Sequence, residues 1–436
     1  MAAAAPRIAI VLPGGGARGA YEAGALSVLL PALEARGERP AIVCGTSVGA
    51  INAALIGSLA DRPAEAVAAA VLDRWRSMRK GDVIRPLVGL GLPVNALRFV
   101  GELLELPGVR LASLMDPAPL AASLERWVDW DDLHRNVRAG VIDAVCIVAT
   151  ALSRGGPVAF VESRVAGEVP RSAASDDLLY VPTVLAAEHV RASAAMPLLF
   201  PPVEVTTPES AADYYIDGGT RMNSPLAPAV RLGADRIVVI GFEPFDQRPA
   251  PVAEAPLPRL ADVAANVLDG LLVDQIADDL RRLVSINEFF VEGGGGPSRS
   301  ARAYRESRGH EPYKRIAYSL VSPQRRGELG QIAERVFRDR YSGLRGLLTP
   351  DYPLLSRLLG GGRTRSRGEL LSFLLFDEHY VEELLRAGAR DAQRWLARHP
   401  RFWCTDPAHD FPAGAPRSDA AREQQLLDEY RTLRRR

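Results

Sequence analysis

Ser47 sits in Gly45-Thr46-Ser47-Val48-Gly49, with a glycine two residues away on either side. Small flanking residues let a chain turn sharply from a strand into a helix. The turn lifts a serine hydroxyl onto a sheet edge beside the positive end of a helix dipole. A hydroxyl so placed is a nucleophile for acyl transfer. Composition alone would produce such a pentapeptide on the order of 0.2 times per chain, so the motif needs its context. That context is Gly14-Gly15-Gly16-Ala17-Arg18-Gly19. Consecutive glycines expose backbone N–H groups at a helix N-terminus, where they can hold a phosphate or a developing oxyanion.

A serine nucleophile needs a base. His134, His189, His310, His379, His399 and His409 lie in polar or helical stretches with no turn or strand end beside them, the setting of surface or packing histidines. Asp217 is the better candidate. It follows Tyr214-Tyr215-Ile216 and precedes Gly218 and Gly219, so it ends a strand on a tight turn, where a carboxylate can take the serine proton directly. An ordinary Asp-Gly turn is the competing reading. An ionised aspartate near its reference pKa of about 3.9 predicts a rate that is flat through neutral pH, whereas a histidine base predicts a fall through about 6.5.

Gly14, Gly16 and Gly19 also spell GxGxxG. A dinucleotide site wants an acidic residue at the end of the second strand to hold the ribose, and Cys44-Gly45-Thr46-Ser47 stands there instead. Glycines that serve only a tight turn are a further alternative. No metal is expected, because the three cysteines, Cys44, Cys146 and Cys404, are far apart. Neither they nor the six histidines show CxxC or HxxxH spacing.

Positioning these groups falls to a regular succession of elements. The pattern predicts strand, loop and helix over Arg7–Leu12, the glycines and Ala17–Arg36. It predicts strand, turn and helix again over Ala41–Cys44, Gly45 and Val48–Leu59. Two βα units in succession imply a parallel sheet with helical crossovers. Strands are expected at Ile142–Ala151 and, after the turn Ser153–Pro157, at Val158–Val161. A helix over Val184–Ala195 is stopped by Pro197, Pro201 and Pro202, and strands follow at Tyr214–Ile216 and Arg236–Phe242. Beyond a Pro/Ala-rich stretch at 249–258, Leu260–Phe290 reads as helix and Gly293–Gly296 opens an Arg-rich loop. Tyr313–Val321 reads as one more strand, and the rest as mainly helical.

The GGGxRG loop, the GxSxG elbow, Arg191–Pro202 and Asp217-Gly218-Gly219 occur in an order that resembles the patatin-like phospholipases, over roughly residues 7 to 242. The resemblance implies an α/β three-layer hydrolase with a central, mostly parallel sheet over 1–245, followed by a mainly helical C-terminal region over 246–436. It implies a serine lipid acyl hydrolase, of phospholipase A or esterase type, working through a Ser47/Asp217 dyad. Gly14, Gly15 and Gly16 would be the oxyanion donors, with Arg18 the arginine of the same loop. Gly19, Gly45, Gly49, Gly218 and Gly219 would support them. The expected partners are the lipid substrate and, peripherally, the membrane surface; no cofactor or metal is required. Two other outcomes stay open: an acyltransferase using the same acyl-enzyme, and a non-catalytic module that binds an anion for regulation. Plant patatins begin the loop with Asp, whereas Pro13 here offers neither a side-chain cap nor an N–H, a difference that bears on substrate range. Ser372–Asp377 and Ala387–Ala392 resemble helical extensions found after some bacterial patatin domains.

With 436 residues, 47% hydrophobic and 24% charged, the chain has the composition of a folded globular protein. Its 53 basic and 53 acidic residues balance to a net charge of 0, so no general attraction to nucleic acid follows. Only Lys80 and Lys314 among the basic residues are lysines, which fits GC-rich bacterial coding. The first apolar run stops in glycines instead of an A-x-A site, and no run approaches the roughly 20 residues that span a bilayer. The expected compartment is the cytoplasm, with the protein peripheral to the membrane. Pro86–Leu97, apolar but interrupted by Pro, Gly and Asn, is expected to form with Pro197–Pro202 the mouth or lid of an acyl channel at the lipid interface; buried packing between helices is the competing reading.

Overall fold

Strands covered on both faces read as unbroken apolar runs, and Ile8–Leu12 is one. It forms β1 in a computed structural model that describes residues 5–83, 118–165, 177–197, 200–244, 314–341 and 365–404, with a few single positions between them. β2 (Pro40–Thr46), β3 (Ala144–Ala151), β4 (Pro157–Ser163), β5 (Leu179–Pro182), β6 (Val203–Val205), β7 (Asp213–Asp217), β8 (Arg236–Ile240) and β9 (Ala317–Val321) complete one sheet. Its order is β5-β4-β3-β2-β1-β8-β9. The five strands from β3 through β9 along this path run parallel, as the two βα units predict.

The helices follow from the same pattern. α1 (Gly19–Glu34) links β1 to β2, and α2 (Val48–Ser58) links β2 to β3 by way of α3 (Ala64–Ser77), α4 (Ala118–Trp127) and α5 (Trp130–Ala139). Both crossovers step the same way along the sheet, so right-handed connection puts α1 and α2 on one face. α6 (Ala187–Ser193) precedes β6, and α7 (Leu226–Arg231) packs on β1 and β2 before β8 begins. The expected strands and helices up to residue 242 are thus present, with ends that differ by a few residues: the strands at 41–44, 158–161 and 214–216 extend further than expected, and the others stop a residue or a few short.

The C-terminal region is helical, with α8 (Glu328–Tyr341), α9 (Arg365–Leu374) and α10 (Glu378–Arg398) following β9. β9 pairs in parallel with β8, so the sheet takes its last strand from this region. α10 lies along α1 at backbone contact: a Cβ on Gly388 would fall 2.0 Å from Tyr21 O, and one on Gly24 would fall 2.1 Å from Leu385 O. The Tyr21 hydroxyl donates to Asp391 Oδ2 at 2.9 Å across that contact. The expected helix Leu260–Phe290, except Leu283, and the loop at Gly293–Gly296 lie outside the described residues.

Two register relations set up the site. Leu12 pairs with Gly45, so the loops after β1 and β2 leave the sheet side by side. β2 ends on β3 at Thr46 opposite Val148, and β7 pairs antiparallel with β3 from Ala149 onward, where Asp217 stands opposite. β4 occupies the other side of the same β3 residues. β7 therefore fills the place on β3 that β2 vacates, and its last residue arrives end-on to Ser47.

Candidate active site

Ser47 is the only residue between β2 and α2, and its φ of 53° and ψ of −120° are a conformation that L-residues rarely adopt. Such strain persists only where the surroundings over-determine it. Here they leave no room for anything but glycine on either side: a Cβ on Gly45 would lie 2.2 Å from Gly49 O, and one on Gly49 would lie 2.2 Å from Leu12 O. The Ser47 N–H donates to Ser193 Oγ at 2.8 Å, and the Ser193 hydroxyl donates onward to Val148 O at 2.5 Å. The elbow is thereby tied to α6 and β3.

The Ser47 hydroxyl donates to Asp217 Oδ2 at 2.6 Å, and the Gly219 N–H donates to Asp217 Oδ1 at 2.7 Å. The backbone of the same turn is held by the end of α6, where the Asp217 N–H donates to Ala195 O at 2.8 Å and the Gly218 N–H to Ser193 O at 3.2 Å. Both side chains are almost fully enclosed, Ser47 at 5% and Asp217 at 2% exposure. Burial pushes the Asp217 carboxyl up to about 6, against the two hydrogen bonds, which favour its charged form. The expectation of an aspartate near its ordinary value is corrected on this point, because desolvation outweighs the two donors. The carboxylate is consequently a stronger base than an exposed aspartate and is ionised at neutral pH.

The glycines of the loop after β1 each meet a different wall. A Cβ on Gly14 would lie 3.0 Å from the Ser47 Cβ and 2.6 Å from Asn223 Oδ1. One on Gly15 would lie 2.4 Å from the Phe242 ring, and one on Gly16, whose φ is +56°, would lie 2.2 Å from Phe373 O. The Gly14 N–H is already engaged, donating to Asn223 Oδ1 at 3.1 Å and Asn223 O at 3.2 Å. Among the described residues the Gly15 and Gly16 N–H groups have no protein acceptor. A substrate oxyanion beside Ser47 would have those two as its backbone donors. Arg18, grouped with them in the sequence, sends its guanidinium elsewhere, onto Glu369, Ser372 and Phe373 of α9. Gly19 packs against Val48 and Trp75, and Gly218 against Val148 O.

Two buried residues at this junction went unassigned in the sequence. Ser193 lies inside the Arg191–Pro202 segment, whose order among the motifs was the signal for it. Asn223, six positions after Asp217, brackets the first glycine of the loop, and its Nδ2 is buried with no acceptor among the described residues. The histidines stand apart. His134 pairs with Glu162 at 2.8 Å, and His189 spans the Ala186 N–H and Thr207 O. Among the described residues no histidine bonds Ser47 or Asp217, and His310 and His409 lie outside them. Nor is any His, Cys, Asp and Glu group among the described residues arranged to hold a metal ion.

No described helix is long and apolar enough to cross a membrane. Pro86–Leu97 lies outside the described residues; of Pro197–Pro202, Phe200 is buried and Pro197 and Pro201 are half-buried.

A family model described as Patatin-like phospholipase matches residues 10–230. The solved structure of VipD from Legionella pneumophila is similar to the chain over 90% of this chain and 67% of that one, at 13% identity and a TM-score of 0.29. No curated protein matches.

Proposed function

This chain belongs to the patatin-like phospholipase family, and from that premise we propose that it is a serine lipid acyl hydrolase in which Ser47 is the nucleophile and Asp217 its general base. The observation that carries the reading is the 2.6 Å hydrogen bond from the Ser47 hydroxyl to a buried carboxylate. In the reaction Asp217 takes the proton as Ser47 Oγ bonds to the ester carbonyl carbon. The carbonyl oxygen gains the negative charge and is met by the Gly15 and Gly16 N–H groups at the start of α1, where the helix dipole adds to them. The intermediate collapses when the leaving alkoxide takes the proton back from Asp217. A water then repeats the sequence on the acyl-enzyme, with Asp217 again as base, and frees the fatty acid and Ser47.

The substrate is an acyl lipid, and the protein meets it as a peripheral visitor to the membrane. Incubating the purified protein with a fluorophosphonate probe tests the nucleophile: labelling must occur and must vanish in Ser47→Ala. A screen of phospholipid classes, with and without an acceptor alcohol, then separates hydrolysis from acyl transfer by product partition. Unlabelled protein would leave an anion-binding module as the surviving reading, and label retained in Ser47→Ala would assign the nucleophile to another residue.

A further inference from the structure

Arg18 lies in the glycine loop, yet its charge is used at the other end of the chain. It is 4% exposed. Its Nε–H donates to Ser372 Oγ at 2.7 Å, and Nη2 donates to Glu369 O at 3.2 Å and to Glu369 Oε2. The Ser372 hydroxyl donates to Glu369 O at 2.5 Å, so its single proton is accounted for and its oxygen is free to accept from Arg18. The guanidinium carbon sits 4.1 Å from the centre of the Phe373 ring. Two residues earlier, Gly16 abuts Phe373 O so closely that a side chain there would collide with it. α9 thus holds the loop by charge at Arg18 and by contact at Gly16.

The junction is closed by neighbours that carry charge of their own. Glu243, just past β8, accepts from the Gly327 N–H at 3.3 Å, and its other oxygen is buried with no partner among the described residues. Burial and the nearby Glu369 push the Glu243 carboxyl up to about 7, against the pull of Arg18 and Arg326. Tyr380 of α10 faces the same pair and stays a neutral phenol. The Arg18 charge is therefore matched mainly by Glu369. α8 backs that carboxylate, since Gly330 stands where a Cβ would lie 2.8 Å from Glu369 Oε1.

We propose that Glu369, Ser372 and Phe373 are positioning residues of the reaction, which hold the Gly15 and Gly16 amides of the glycine loop at the oxyanion through Arg18 and Gly16. The inference rests on the hydrolase reading for its kinetic consequence. It makes α9 a working part of the catalytic centre, because a donor displaced by a fraction of an ångström stabilises the transition state less while leaving the bound ester almost untouched.

The test uses the full chain and three variants. Glu369→Gln, which keeps the shape and removes the charge, is expected to lower kcat on a short soluble ester by about ten- to a hundredfold with KM unchanged. Ser372→Ala should lose less, in the same direction. Hydrogen exchange at residues 14–18 should quicken in both, a readout that holds even in a protein without esterase activity. Arg394→Ala, which breaks an ion pair on α10 involving neither Arg18 nor α9, controls for stability: its melting temperature should fall while kcat stays. Should Glu369→Gln fail to fold, Ser372→Ala decides by the same measurements. Unchanged kcat and unchanged loop exchange would overturn the proposal, as would a kcat loss in Arg394→Ala as large as that in Glu369→Gln. If no variant and no wild-type protein reacts with a fluorophosphonate probe, the hydrolase reading fails, and exchange at 14–18 alone still judges the bracket.

Discussion

Ser47 Oγ lies 2.6 Å from Asp217 Oδ2 at a point where the aspartate is 2% exposed, so the hydrogen bond is made away from water. With Asp217 as the proposed base, its ionisation, shifted up to about 6 by that enclosure, is expected to set the pH dependence. Activity is expected to rise with pH through about 6 and to level off above it, since the base must be deprotonated. A histidine would place an inflection nearby, but carboxyl ionisation is almost athermal while imidazolium ionisation is strongly endothermic. A kcat profile whose midpoint stays put between low and moderate temperature supports the carboxylate; a midpoint that moves steadily down on warming assigns it to a histidine.

The same shift makes a stability prediction. A carboxyl with a folded pKa above its unfolded value of about 3.9 binds more protons folded than unfolded, so its contribution weakens as pH rises from about 4 to 6 and is unfavourable above that window. Asp217→Asn removes the buried charge while its amide oxygen still accepts from the Gly219 N–H and its NH2 donates to the Ser47 hydroxyl oxygen, which turns to accept. The variant should be more stable than wild type at pH 8, by about 1–3 kcal/mol in denaturant unfolding, with the gain vanishing near pH 4.

Ser47→Ala and Asp217→Asn should each lower kcat by about a thousandfold or more, with a double variant no worse than the poorer single one. Steady-state kinetics on one soluble ester measures all three. Losses that multiplied would mean that the two residues do not act as a unit.

Ser193 connects the Ser47 amide to Val148 O, so Ser193→Ala leaves the Ser47 N–H and the Val148 carbonyl without that partner in a buried setting. The expected loss is about 1–3 kcal/mol of stability together with a lowered kcat. A variant as stable as wild type and fully active would mean that the glycines alone hold the elbow.

Gly49→Ala places a methyl group 2.2 Å from Leu12 O, a backbone atom of β1 that cannot swing aside. We expect a loss of about 1–3 kcal/mol or failure to fold. Wild-type melting with activity retained would show that β1 and α2 can separate at their closest point.

Much of this site was legible because it is built from local rules. The βα succession at Arg7–Arg36 and Ala41–Leu59, a serine between glycines and an Asp-Gly-Gly turn are statements about short stretches of backbone. Hydrophobic periodicity and turn chemistry fix such stretches residue by residue. Family order then linked Ser47 to Asp217 across 170 positions that no periodicity could bridge. What only the tertiary structure decided depends on pairing between distant segments. The register of β7 on β3 brings Asp217 end-on to Ser47, and the enclosure this creates moves the carboxyl up to about 6. Asn223 meets Gly14, and Ser193 meets Ser47, because a strand order and a crossover bring them together. Arg18 reads from sequence as one more residue of an oxyanion loop; its partner Glu369 stands 351 positions away. Burial and charge pairing are properties of neighbours in space, and a single sequence lists neighbours only along the chain.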